Sequence, residues 1–450
     1  MKKLISYIII IILIITLIVA YKKYNYNDFE KSVRETKKTT FTRDSFEKYS
    51  KMDSYKIENI DFNDSMFSQT IHVIPNTPYK VTCMVKTENI VNKINETAGG
   101  AHISLVKTGE RSKLVTGTSD WQEITLMFDS KYENEIEIGF RLGGYDDLSK
   151  GTAWFSDFKI EAGSPSTSNK WNMACFIFPK IDVKVNVNNK NENVKLEMTP
   201  NDISTIQTNL SRFQSSIKEI SNNRISIEYE TYIVNDPIKS LSYDETNGYY
   251  VSASDVYEYI NSYIEEKDFD HIFVAFRMAD KQKGNDILVN DWIGLGGMDY
   301  LGIGYSNIRM PDDRNNIVYQ YDYRVNTFPE EVFLHEFLHT LERNAQEYGY
   351  DRPELHDYKK YGYSEDYTDG LRKWYADYMN KNINYNGKKI GLPQEIYYHK
   401  PIHESNFKYS RDLDAFKEPE NIIEILKGIF RRVGKLFEYN NNNIEPEQVQ

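Results

Sequence analysis

Near residue 163 the spacing of apolar side chains changes from one period to another, and no single motif constrains the fold as much. Between about Tyr55 and Glu161 apolar and polar residues alternate, as in Phe67-Ser-Gln-Thr-Ile-His-Val73, Tyr79-Lys-Val-Thr-Cys-Met-Val85 and Glu135-Ile-Glu-Ile-Gly-Phe-Arg-Leu142. A period of two puts the apolar set on one face of a strand. Pro75-Asn-Thr-Pro78 and Gly99-Gly100 punctuate these runs, and several short strands at this spacing predict a β-sandwich. Gly163-Ser-Pro-Ser-Thr-Ser-Asn169 then reads as a linker.

Beyond it the period becomes helical. Thr199-Pro-Asn-Asp202 is a capping box with proline at the first helical position, and Ile203, Ile206, Leu210, Phe213, Ile217 and Ile220 follow on one face. Ile225 to Val234 alternates as a strand, and Ser252-Ala-Ser-Asp255 opens a second helix. Asp270-His-Ile-Phe-Val-Ala-Phe276 is apolar enough for a central strand. Trp292 to Met310 is Gly-rich and reads as twisted strands beside a cleft. Ile293 to Ile308 is a candidate edge for an extended substrate. A last amphipathic helix is expected over 420–437.

The N-terminus adds an apolar run, Leu4 to Ala20, flanked by lysines and long enough for about 25 Å of helix, near the minimum for a bilayer. No small-x-small cleavage site follows, so an uncleaved signal anchor is favoured over a removed signal peptide. The expected organisation is a membrane helix over 1–22, a polar stalk over 23–50 and a sandwich over 51–163. A linker over 164–171, an α+β domain over 172–438 and a disordered tail over 439–450 complete it. The expected location is the cell membrane with the body outside the cytoplasm, or secretion if the anchor is cut. A formal charge of −12 argues against nucleic acid as a partner. Cys83 and Cys175 lie in different expected domains and read as two small buried residues, with a bridge joining the domains as the alternative.

The chemistry is carried by His335-Glu-Phe-Leu-His339. Thr327-Phe-Pro-Glu330 reads as a capping box ahead of a helix of about five turns. His335 and His339, four apart, share a face and can present two imidazole nitrogens to one zinc ion. Glu336 is placed to take a proton from the attacking water. The third ligand is sought downstream in Arg352-Pro-Glu-Leu-His-Asp-Tyr358. His356 is favoured, with Asp357 and Glu354 next, and Glu347, Glu365 and Asp366 as remaining candidates. Glu342 sits about 10 Å along the helix axis from His335 and reads as an outer-shell or ion-pair residue. Tyr361 and Tyr363 are candidate donors to the developing oxyanion, with Tyr363 taken as the site residue, beside the plainer reading of both as packing tyrosines.

On His335, Glu336 and His339, and on the order of elements before them, the stretch from about 172 to 400 resembles the zincin metallopeptidases. That resemblance implies a twisted sheet packed on helices, with the motif helix at the cleft floor. Glu342 and Ala345 depart from the metzincin continuation, which has Gly and His there. The stretch from about 55 to 163 resembles the jelly-roll carbohydrate-binding modules of bacterial glycanases. Phe67-Ser-Gln-Thr, Pro75-Asn-Thr-Pro-Tyr-Lys-Val, Val85-Lys-Thr-Glu, Gly117-Thr-Ser-Asp-Trp-Gln and Gly151-Thr-Ala-Trp-Phe-Ser-Asp-Phe carry it. It implies a polysaccharide or glycoprotein glycan as partner, and Ca2+ as a second candidate ion. Ser156 stands where the family has the first Asp of a Phe-Asp-Asp run. In that frame Trp121 and Trp154 are expected in the core.

Together these readings predict a membrane-anchored zinc endopeptidase acting on proteins or glycoproteins. The alternatives are a glycoside hydrolase and a non-catalytic glycan-binding adhesin.

Overall fold

The computed structural model describes residues 29–413 apart from 95–98, 145–146, 188–189, 266, 279–291 and 312–326. The expected membrane helix, the helix over 420–437 and the tail lie outside these residues. Among the described residues no helix is long and apolar enough to cross a bilayer.

The first strands are β1 (Glu30–Val33), β2 (Thr39–Asp44), β3 (Ser54–Asn63), β4 (Ser65–His72), β5 (Pro78–Asn92), β6 (Ala101–Leu105), β7 (Gly117–Asp129), β8 (Glu135–Leu142) and β9 (Ser149–Ala162). They form two antiparallel sheets, ordered β1-β4-β8-β6 and β2-β3-β9-β5-β7. Side chains from both sheets meet in one core that includes Ile57, Phe67, Val81, Ile103, Phe140 and Phe155. This is the sandwich the alternation predicts. Full burial of each such side chain contributes about 1.5–3 kcal/mol.

The expected stalk is corrected here: β1 and β2 fall inside 23–50 and supply one edge strand to each sheet. Their Lys/Thr-rich sequence disguises them, because an edge strand tolerates polar side chains on its open flank.

The second part begins with β10 (Lys170–Phe178), which takes the last residues of the expected linker. There follow β11 (Lys180–Val187), β12 (Lys190–Glu197), α1 (Pro200–Ile220), β13 (Ser226–Ile233), β14 (Ser242–Asp244), β15 (Gly248–Tyr250), α2 (Ala253–Glu265), β16 (His271–Met278), β17 (Gly294–Tyr300) and β18 (Ile303–Pro311). Then come α3 (Glu331–Glu347), a 3-10 helix (Leu355–Tyr361), α4 (Gly370–Met379), β19 (Ile383–Tyr385), β20 (Lys388–Ile390) and β21 (Arg411–Leu413). The capping box forms at α1: Thr199 accepts from the Asp202 N–H at 3.2 Å and Asp202 accepts from the Thr199 N–H at 2.7 Å.

The central sheet runs β13-β10-β16-β18-β17, parallel except for β17, which lies antiparallel at one edge. Alternate residues of β16 feed two cores. Phe273 and Ala275 face the core shared with α1, α3 and α4. Ile272, Val274 and Phe276 face the core beneath α2 and the β11–β12 hairpin. A strand covered on both faces must be apolar throughout, which is why this segment does not alternate. The C-terminal strand β21 returns to pair with β9 of the sandwich.

Candidate metal centre

Helix α3 lies against the edge of the central sheet with Leu334, Phe337, Leu338, Leu341 and Ala345 buried at helical spacing. The box expected at Thr327 does not form. Glu330 precedes the helix in a helical conformation with no side-chain cap, because its carboxylate is drawn to Arg372 at 3.0 Å. The orientation of α3 leaves His335 and His339 partly exposed along one flank.

The 3-10 helix carries His356 to the same place. Leu355, just before it, is fixed from both sides: its N–H donates to Glu342 at 2.7 Å, and its carbonyl accepts from the Trp374 indole at 2.9 Å. The Nε2 atoms of His335 and His356 stand 3.0 Å apart, and those of His339 and His335 3.2 Å. One ligand atom from each of the three histidines lies within 4.8 Å of the others.

The outer contacts decide which nitrogens are free. Tyr375 donates its hydroxyl proton to Glu331 at 2.8 Å, so its oxygen accepts from His335 Nδ1 at 2.9 Å. His339 Nδ1 faces the Glu342 carboxylate at 3.0 Å and must donate to it. With both Nδ1 atoms carrying the proton, both Nε2 lone pairs point into the cluster. Nitrogens bound at about 2.0–2.1 Å to a tetrahedral ion stand about 3.3 Å apart, close to the separations here. Three converging imidazoles, His335 held through Nδ1 by the Tyr375 hydroxyl and His339 by the Glu342 carboxylate, are a donor set that fits zinc.

Electrostatics favours a cation. Burial pulls the His339 imidazole down, but the hydrogen bond to Glu342 and the nearby Glu336 carboxylate outweigh it, leaving a net upward shift. Burial raises Glu342, but His339 and the Leu355 N–H bring it below its ordinary value. Burial and the neighbouring His339 lower His356. Glu336 is 5% exposed, on α3 next to His335.

The other candidates lie elsewhere. Glu354 pairs with Arg352 at 3.2 Å and Asp357 with Lys360 at 3.0 Å. Tyr363 donates its hydroxyl to Asp377 at 2.8 Å and packs its ring on Trp374, both on α4, as the packing reading of this tyrosine expects. Tyr361 stacks on the same indole. The residue missed in the sequence is Tyr375, 40 positions from its histidine. Nothing in the sequence set it apart, because its role comes from the packing of α4 on α3.

In the sandwich, Asp157 pairs with Lys159 at 2.9 Å. Among the described residues no further set of three acidic, His or Cys side chains converges there to suit Ca2+. Cys83 and Cys175 are buried and unbridged. Trp154 is buried as expected, with its indole donating to Asp44 at 2.9 Å. Trp121 departs from expectation: it is half-exposed, with its ring 6.0 Å from the exposed ring of Tyr49.

No protein-family model and no curated protein matches this chain. Among solved structures it is similar to the module TmCBM61 in complex with β-1,4-galactotriose, at 15% identity over 29% of this chain and 86% of that one, with a TM-score of 0.21. A CBM4 structure matches at 18% identity over 31% and 81%, with a TM-score of 0.21. The CBM22-1 xylan-binding domain from Paenibacillus barcinonensis Xyn10C matches at 11% over 29% and 85%, with a TM-score of 0.19. All three are carbohydrate-binding modules. They span less than a third of this chain and lend nothing to a peptidase reading.

Proposed function

We propose that this chain is a zinc-dependent, zincin-like endopeptidase cutting proteins or glycoproteins, held outside the cytoplasm by its N-terminal apolar run. One observation carries the reading: the Nε2 atoms of His335, His339 and His356 converge while Tyr375 and Glu342 fix the tautomers of the first two. The antiparallel edge strand β17 beside α3 supports it, because an extended peptide can add to such an edge. When bound, zinc supplies a Lewis acid that polarises the scissile carbonyl and acidifies a water. Glu336 takes the proton of the attacking water and delivers it to the leaving amine. General acid–base catalysis of this kind contributes about 10²–10⁴-fold. Glu336→Gln should retain zinc and lose cleavage of casein or a peptide library, and a chelator should silence the native chain. Cleavage that survives both treatments refutes the reading.

A second reading, glycan binding by the sandwich, is favoured by the pairing of the exposed Tyr49 ring with the partly exposed Trp121 ring, since such rings offer apolar faces to a sugar. It is compatible with the first. Retardation on polysaccharide gels that Trp121→Ala abolishes would support it. Retardation equal in both proteins would count against this surface. Stoichiometric zinc without turnover on any peptide library would favour the adhesin alternative. Release of reducing sugar that persists in Glu336→Gln would favour glycoside hydrolysis.

A further inference from the structure

The edge strand β17 approaches Glu336 more closely than any side chain would permit. A Cβ built on Gly294 would stand 2.3 Å from Glu336 Oε1, 2.4 Å from its Cγ and 2.5 Å from its Cδ. A Cβ on Gly296 would meet the Glu336 main-chain oxygen at 2.5 Å and Oε2 at 2.9 Å. The pairing register with β18 slips between Leu295 and Met298, so Gly296 and Gly297 together oppose Ser306. This is a β-bulge, a device that re-aims a strand next to a site. Gly297 adopts a φ of +74°, which suits glycine.

The bulge is held in place by the motif helix itself. Arg343 of α3 donates to the carbonyls of Gly297 at 3.2 Å and Met298 at 2.7 Å. Ser306 of β18 donates its hydroxyl to the Glu336 carbonyl at 3.3 Å. Strand, bulge and helix therefore enclose Glu336 from the side of the sheet. Gly304 provides a contrast: a Cβ there would meet Thr340 and His271, neither of them a reacting group. At Gly294 each of the nearest atoms belongs to the Glu336 side chain.

We propose that Gly294 is a positioning residue of the hydrolytic site, leaving the space in which the Glu336 carboxylate is held between β17 and α3. The proposal rests on Glu336 being the proton carrier. A side chain at 294 displaces the carboxylate while His335 and His339, oriented by Tyr375 and Glu342, and His356, carried by the segment Glu342 ties at Leu355, keep their places. Base and substrate-side edge strand are thereby in contact, so the strand that would receive a peptide also sets the position of the group that attacks it through water.

A double-mutant cycle of Gly294→Ala and Glu336→Ala, read by urea denaturation and zinc content, tests this without relying on turnover. Gly294→Ala should lower the urea midpoint alone and do so much less beside Glu336→Ala, where the atoms it meets are gone. Gly296→Ala is the control. Its cost should persist in both backgrounds, because the first atom it meets is a main-chain oxygen. If Gly294→Ala folds only beside Glu336→Ala, the coupling is shown in its strongest form. An equal cost in both backgrounds overturns the proposal. In cleavage assays Gly294→Ala should keep full zinc and its KM, while kcat falls by about 100-fold or more. A zinc-loaded variant with native kcat also overturns it. A native chain that cleaves nothing instead defeats the peptidase reading, and the denaturation cycle then decides alone whether the cradle holds the carboxylate.

Discussion

The Nε2 atoms of His335 and His356 face each other at 3.0 Å across 21 residues of sequence. His356 arrives there because Glu342, on the motif helix, grips the N–H of Leu355 with one carboxylate oxygen and His339 with the other. His339 and the segment bearing His356 are thus tied to one side chain. Removing the third imidazole by His356→Ala should weaken zinc binding by more than the about 10–100-fold typical of outer-shell losses. Competition with a chromophoric chelator measures it, and native affinity in the variant would exclude His356 as a ligand.

Tyr375 links His335 to the buried Glu331. Tyr375→Phe removes both hydrogen bonds and keeps the ring. Zinc affinity should fall by about 10–100-fold, with a loss of about 1–3 kcal/mol in folding stability as a buried carboxylate loses its donor. Titration calorimetry and urea denaturation separate the two effects.

Tyr363→Phe should leave kcat and zinc content unchanged, because its hydroxyl serves Asp377 on α4. The expected cost is about 0.5–1.5 kcal/mol of stability. A large drop in kcat at native zinc occupancy would return Tyr363 to the reacting groups.

His102 and His271 are fully buried, and burial pulls each from 6.5 to about 3, with neighbouring arginines adding to the shift. Between those values the unfolded chain binds protons that the folded chain refuses. Stability should therefore be flat above about pH 6.5 and fall as the pH drops toward 3, by up to about 1.4 kcal/mol per pH unit for each group. His102→Asn should remove about one proton from that slope in urea denaturation. An unchanged slope would mean that His102 is protonated in the fold.

The legibility of this chain follows from where each residue's partners lie. The α1 capping box could be read because its partners are three positions apart, and β16 because burial on both faces leaves an unbroken apolar run. Strands β1 and β2 were hidden because both are edges: half of Thr39–Asp44 is exposed, none of it is buried, and each strand pairs on one side only. Thr327 failed as a cap because Arg372, far along the chain, claims the Glu330 carboxylate. His335, Glu336 and His339 were visible as a local repeat, and His356 as a nearby imidazole. Tyr375 was invisible among 35 tyrosines, since only the packing of α4 on α3 gives it a role. The glycines of β17 read as part of a twisted edge strand beside a cleft, but their close approach to Glu336 depends on how α3 packs on that strand.

The three-histidine centre is tested most directly by X-ray absorption at the zinc edge on protein loaded with one equivalent of metal. Three nitrogen scatterers at about 2.0–2.1 Å with the outer-shell pattern of imidazole rings are expected, and one imidazole fewer in His356→Ala. A spectrum with two imidazoles in the native chain, or one unchanged by His356→Ala, would contradict the three-histidine centre.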